Sequence, residues 1–408
     1  MGILDWFNRP PSPEKFAKLY AAWLARHGHA GPFRFVAAEF QFLVGSTDTR
    51  PLNLHNVYRD YCAAPKAERD NVLAKYAHIL NVPEAPNDFA SARGQLLPML
   101  RSNAYLGTIA RLARANGNPA LEQASRPFSS DTAIMLAIDN EHTIQSVPAE
   151  TLVKWGVTFD EAYGAALDNL RDISVAKFDT IAPGLVVGAW NDSYDTSRAL
   201  LADVLHQAGV GAAPVFMLPT RNRLLVASGS NPAAVAQMVE LAHKVVGDEG
   251  RPVSAKMYRL EDREAVEFVP DDAAIADNLR LLAMKFLSDD YAQQKAELEK
   301  IHEKERADVF VATYAIFEMD GRPVSIGTLS KDVDTLLPKT DAIAFMMLPE
   351  ADAKPSFKLV RWEDAWPVLS GIAQRQHDYP ERYRVSVFPP EDVLQGWPAL
   401  NAAGPDAA

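Results

Sequence analysis

Apolar positions first recur at helical spacing. Phe16, Leu19, Tyr20, Trp23 and Leu24 fall at offsets of 0, 3, 4, 7 and 8, which is one face of a helix. Ser12 as N-cap, Pro13 at the first helical position and Glu14 in the first turn mark its start, while Arg26, His27 and Gly28 mark its end. The period then drops to two: Phe33 and Phe35, followed by Phe40, Phe42 and Val44, predict an antiparallel pair. Helices are predicted at about 52–62, 66–80 and 96–115.

The middle of the chain alternates between the two periods. Strands are predicted at Ala133–Ile138, Thr143–Val147, Val186–Trp190, Val215–Leu218, Leu224–Ala227, Met257–Leu260 and Ala265–Val269. Thr158 and Glu161 form a capping box for a helix with Phe159, Ala162, Tyr163, Ala166, Leu167 and Leu170 on one face. A second helix is expected from Asp195 to Ala208, stopped by Gly209, and a third after Asn231 and Pro232. Asp271–Arg306 reads as one long helix, apolar early and charged late, so its late half is expected to be a solvated bridge. Beyond it, Val309–Met319, the turn Asp320–Gly321 and Val324–Thr328 give a hairpin, with further strands at Ala342–Leu348, Phe357–Val360 and Tyr383–Phe388 and a helix near Trp362–Gln374. Strands so close in sequence pair as hairpins. The pattern therefore predicts an α+β fold with mixed, mostly antiparallel sheets packed with helices. Its expected units are 12–115, 131–270, the linking helix 271–306, and a β-rich unit at 307–400.

Composition narrows the function classes. At roughly 150 residues per domain, 408 residues make two to three domains. A net charge of -12, with no run of five Lys or Arg, argues against a nucleic-acid partner. Cys62, the only cysteine, cannot form an intramolecular disulfide, which suits a cytoplasmic setting. No stretch of 18 apolar residues exists to span a bilayer, and Met1–Pro10 lacks the features of a signal peptide. Ile3, Leu4, Trp6 and Phe7 are expected to dock on their own domain rather than to form a stable membrane anchor, and the tail from Asn401 is expected to be disordered. The histidines show no metal-ligand spacing, and His27 and His29 straddle a helix-ending glycine, so no metal and no cofactor is expected. No nucleophile elbow or phosphate loop is present, and catalytic residues stay unassigned.

Four blocks are recognisable together: Leu52–Tyr61, Val147–Leu170, Asn191–Arg198 and Pro219–Leu225. Their order and spacing resemble the bacterial domain of unknown function 1444 family, also called YtpQ-like, over roughly residues 13–270. The chain has Thr220 where that family usually has Asn, and Asn222 where it usually has Asp. The family has no established activity, so the resemblance implies a bacterial cytoplasmic setting and no mechanism.

The candidate site pairs the third block with Pro219–Arg223. Each follows an apolar strand, and the third block is expected to open a helix whose positive end would face a ligand. Arg198 and Arg221 would clamp a small phosphate- or carboxylate-bearing ligand, oriented by Asp192, Tyr194, Asp195 and Asn222. The structural reading is as concrete: one of the acidic residues caps the helix, Arg198 pairs with a nearby carboxylate, and Pro219–Arg223 is a hairpin loop. The sequence thus points to a non-catalytic binding or regulatory protein with an unknown protein partner, a reading that a flat apolar surface near Trp362 and Trp366 would support. Its alternative is an enzyme or sensor with a small anionic ligand.

Overall fold

The structure is a computed structural model and describes residues 11–29, 31–45, 50–77, 80, 86–117, 122–140, 143–211, 213–347 and 356–400. The segment Ile3 to Phe7 and the tail from Asn401 lie outside the described residues. The chain divides into two units, 1–86 with 139–145, and 87–138 with 146–408.

In the first unit the helix Pro13–Arg26 begins where its sequence says, with Ser12 Oγ accepting from the Lys15 N–H. Its apolar face meets an antiparallel sheet of Phe33–Val36, Gln41–Val44 and Arg50–Asn53. Phe16, Tyr20, Leu24, Phe42 and Leu54 form the core there. His27 stacks on Trp23 with ring centroids 3.8 Å apart, a packing role for that ring.

The second unit is built on a six-stranded antiparallel sheet in the order 264–268, 257–261, 214–217, 225–228, 185–188 and 178–182. Both faces are covered. Val215, Met217, Leu225 and Ala227 face the helix Pro232–Glu249 and the start of the long helix, whereas Phe216, Leu218 and Val226 face Leu136, Leu152 and Ala162. Burial on both faces is why these strands read as unbroken apolar runs. The C-terminal part adds two four-stranded sheets containing the parallel pairs 310–311 with 335–336 and 326–330 with 342–346. The fold is α+β with mostly antiparallel sheets, and none of the helices among the described residues is long and apolar enough to cross a membrane.

Three elements differ from their expected form. The segment 96–115, expected as one helix of the N-terminal unit, is a strand Leu96–Ser102 followed by a helix Asn103–Ala115, and the strand pairs with Thr132–Ile138 of the second unit. An apolar run of this length is ambiguous between the two periods, and the non-local partner decides it. The predicted helix Asp195–Ala208 is a 3-10 turn at Thr196–Leu200 and a short helix at Ala202–His206, separated by the extended Leu201. The long helix, Ala273–Glu305, buries its late half as well: Tyr291, Gln294, Leu298 and Ile301 recur at offsets of 0, 3, 7 and 10 among the charges and form a stripe.

The helix Asn103–Ala115 fastens this stripe to the C-terminal part. Arg111 pairs with Glu297 of the long helix at 2.7 Å and with Asp378 at 2.5 Å. Gly107 lies one turn earlier, where an added Cβ would stand 2.7 Å from Arg111 Nη1, 2.8 Å from Asp378 Oδ1 and 3.1 Å from the Tyr379 carbonyl. The two side-chain ends hold each other and the third atom is backbone, so none of them yields easily. Gly107→Ala is expected to cost about 1–3 kcal/mol by overpacking, against the small gain that alanine brings in an open helix position. A urea titration checks it, and a neutral or stabilising result would contradict the packing described.

Candidate functional site

Arg198 and Arg221 occupy different environments. The strand Leu185–Gly188 runs into a turn in which Asn191 and Ser193 both take left-handed backbone, with φ of 56° and 73°. Two non-glycine residues in that region are a local strain. The turn brings Asp192 to Arg198, which is 0% exposed. Arg198 donates from Nη1 and Nη2 to the two Asp192 carboxylate oxygens at 2.9 and 2.6 Å, from Nε to Ser174 Oγ at 2.9 Å, and from Nη2 to the Ile173 carbonyl at 3.2 Å. Its guanidinium lies over the Trp190 ring, 4.4 Å from the centroid. Four of the five Arg198 N–H donors are thus already taken by protein.

Burial alone would raise the Asp192 carboxyl, but the hydrogen bonds from Arg198 and from the Tyr194 N–H, with the Arg198 charge, outweigh it and hold the group below its ordinary value. Stability from this pair is present above the ordinary aspartate pKa and is lost as pH falls through the lower folded value. Asp195 behaves oppositely. Its Oδ1 accepts from the Trp190 and Asn191 N–H groups at 3.1 and 3.3 Å, while Oδ2 is buried with no hydrogen-bond partner, and burial pushes its carboxyl up. With a 3-10 turn in place of the predicted helix, no helix N-terminus of useful length stands here, and that part of the expected anion site is corrected.

Arg221 sits in the loop between the strands Pro214–Met217 and Leu225–Ser228. This loop pairs with a distant segment. Thr220 bridges Pro252, and the Arg221 N–H donates to the Arg251 carbonyl at 3.2 Å, which sets Arg221 opposite Arg251. Like charges directly opposite across an antiparallel pair repel. Arg251 is held at a φ of 54°, in the left-handed region. A third arginine is electrostatically linked to them: Arg101, near the end of the strand Leu96–Ser102, is 7% exposed and donates to the Leu100 carbonyl at 2.8 Å and to Met99 Sδ at 3.0 Å. Burial first, and then the charges of Arg221 and Arg251, push Arg101 down to about 9. Arg221 is lowered by burial and by Arg251. The groups acting in the other direction are phenols, Tyr105 on both arginines and Tyr194 on Arg101. Arg221 lies over the Tyr105 ring at 4.8 Å, and its Nε is buried with no acceptor. Among the described residues neither Arg101 nor Arg221 forms an ion pair with a carboxylate.

Of the residues expected to bind, Arg221 and the buried Tyr194 therefore belong to a cationic cluster with Arg101, Arg251 and Tyr105. Asp192, Asp195 and Arg198 build the neighbouring turn, and Asn222 is exposed beside the cluster. The two halves touch through Thr196, whose hydroxyl donates to the Arg221 carbonyl at 3.2 Å. Sequence reasoning missed Arg101, Tyr105 and Arg251. The available signal was an arginine closing an otherwise apolar strand; the pairing that brings up Arg251 is non-local.

A cavity of about 830 Å³ lies elsewhere, between the helix Asn103–Ala115, the late half of the long helix and the C-terminal sheet. Its cations are matched by protein groups: Arg111 by Glu297 and Asp378, Arg114 by Glu305, and Arg384 by Asp334. Arg382 donates to Gln294 and to the Ala312 and Leu336 carbonyls. Charge is balanced in that cavity and unbalanced at Arg101 and Arg221, which makes the latter the stronger candidate.

The chain is similar to the UPF0354 protein of Bacillus cytotoxicus, 24% identical over 178 residues, which cover 41% of this chain and 66% of that one. It is also similar to a UPF0354 protein of Bacillus cereus, 23% identical over 176 residues, 42% of this chain and 62% of the relative. The chain thus spans slightly under two thirds of the length of these relatives. They are distant members of an uncharacterised bacterial family. No family model and no solved structure matches the chain.

Proposed function

We propose that the protein is a binding or regulatory protein that takes a small anion at Arg101, Arg221 and Arg251, with Tyr105 and Tyr194 beside them. The observation that carries this reading is the pair Arg101, buried, and Arg221, half-buried, which feel each other's charge and have no carboxylate partner among the described residues, Arg221 with a buried Nε that has no acceptor. A buried charge is costly unless it is paired. Arg251 adds a like charge and a strained backbone at the same place. An anionic ligand offsets all of these costs at once, and strain and perturbed charge concentrate at functional sites. The Arg198–Asp192 pair serves this reading as the support that fixes the adjoining turn.

Thermal unfolding at pH 7 in phosphate, sulfate and citrate, each against chloride of equal ionic strength, tests it. At least one of the three is expected to raise the Tm saturably, by about 2.7 kcal/mol of added stability at a hundred times its Kd. Arg101→Met and Arg221→Met are expected to remove the shift. No shift with any of the three, or an unchanged shift in both variants, would overturn the reading.

A further inference from the structure

We propose that the edge strand Ala315–Met319 pairs with the same strand of a second copy of the chain, antiparallel about Phe317, so that two copies share one sheet. The strand carries no residue of the anion site. It closes one side of a four-stranded sheet whose other members are 322–330, 342–347 and 356–361. The hairpin it belongs to fixes which of its backbone groups face outward. Asp320 and Gly321 both take positive φ, the type I′ two-residue loop, which closes on Met319 and Arg322 as a hydrogen-bonded pair. Alternation then leaves Glu318 opposite Pro323, and Ile316 opposite Ser325, as pairs without mutual hydrogen bonds. Pro323 has no N–H and its carbonyl accepts from Arg280 at 3.2 Å, while the Ser325 N–H donates to Asp341 Oδ2 at 2.8 Å. Both residues thus turn away from the edge strand. The N–H and C=O groups of Ile316 and Glu318 point outward, and among the described residues no hydrogen bond reaches them.

Open edges are normally protected by charge, bulges or cover. The six-stranded sheet ends on Glu264–Phe268, which holds Glu264 and Glu267, and on Phe178–Ala182, which holds Asp179 and a bulge between Thr180 and Ala182. The far edge of the four-stranded sheet takes the Leu400 N–H on the Leu359 carbonyl. Ala315–Met319 instead presents Ile316 and Phe317, 41% and 53% exposed. Its best match is itself. Laid antiparallel about Phe317, Ile316 of each copy meets Glu318 of the other as a hydrogen-bonded pair, which uses the outward groups of both residues. Phe317 meets Phe317 at a non-hydrogen-bonded position, where side chains come closest and an aromatic pair is favourable. No like charges stand directly opposite. Sliding one pair in one direction sets Glu318 against Glu318, which repels; the other direction sets it against Tyr314, whose ring is already stacked on Tyr291. A five-residue strand buries less than a permanent interface needs, so the dimer forms with rising concentration.

Sedimentation velocity of the full chain from about 1 to 200 µM, a range that reads a micromolar Kd, tests the pairing. The mass is expected to rise from that of one chain, 44.8 kDa, toward twice that value. Ile316→Pro costs no bond to 322–330, because the N–H it removes points outward, and is expected to weaken the dimer by about tenfold or more. Phe317→Lys and Phe317→Glu, at an exposed position, each set like charges face to face and are expected to weaken it by about as much. Mixing these two variants is expected to restore the dimer, because the introduced lysine then faces the introduced glutamate. That rescue requires position 317 to meet position 317, which a nonspecific apolar contact does not. A parent chain that stays monomeric over the whole range would overturn the proposal and leave the edge to a strand of another protein. A dimer that survives all three substitutions, or a mixture no more dimeric than its components, would overturn it as well. Circular dichroism identifies a variant that has failed to fold, and the others then carry the test.

Discussion

Arg198→Ala is expected to destabilise the protein by about 3 kcal/mol, the low end of the range for breaking a buried ion pair, because the abandoned Asp192 is 35% exposed on its side chain. The substitution removes a side chain that is 0% exposed and leaves the Asp192 carboxylate, Ser174 Oγ and the Ile173 carbonyl without the donors they share. It also uncovers the Trp190 face. Asp192→Asn should cost less, because Asp192 is 35% exposed on its side chain and asparagine retains an acceptor for Arg198. The two variants carry a pH signature. Asp192 lies below its ordinary pKa, so in the parent this contribution is complete above the ordinary aspartate value and disappears as pH falls through the lower folded one; in both variants that part of the acid dependence is missing. Urea titrations at neutral and acid pH read both effects. A loss under about 1 kcal/mol for Arg198→Ala, the scale of an exposed pair, would mean that the pair does not hold the turn.

Arg221→Met is expected to act with the opposite sign on the ligand-free protein. Methionine keeps an apolar stem against Tyr105, relieves the repulsion from Arg251 and Arg101, and removes the buried Nε that has no acceptor. Stability should stay level or rise, as replacing strained functional groups often allows. Anion affinity should fall by the equivalent of about 2–5 kcal/mol, the cost of truncating one side of a buried, hydrogen-bonded charge pair. A lower Tm together with unchanged affinity would make Arg221 a structural residue of the same kind as Arg198.

The contrast between these two arginines shows where the sequence could be read. Elements carried by local signals were legible: the Ser12-capped first helix, the Thr158 capping box, and the hairpin that turns through Asp320 and Gly321 at φ of 50° and 72°. Elements decided by distant partners were not. Leu96–Ser102 has the composition of a buried helix or a buried strand, and only its pairing with Thr132–Ile138 settles which. Asp195–Ala208 has helical spacing, but burial of Tyr194 and Arg198 accompanies a tight turn and then the extended Leu201. The same limit applied to the site. Arg221 stood beside two strands and drew notice, whereas Arg251 reaches it through a bridge across thirty-odd residues of intervening sheet and helix, and Arg101 lies in a strand with no motif around it.

The central claim is that Arg101, Arg221 and Arg251 enclose an anion, and diffraction from crystals grown in selenate, measured at the selenium edge, tests it most directly. The account predicts an anomalous peak within hydrogen-bonding distance of the Arg101 and Arg221 guanidinium groups. A crystal structure with no peak there, and with both guanidinium groups paired with protein carboxylates, would contradict it.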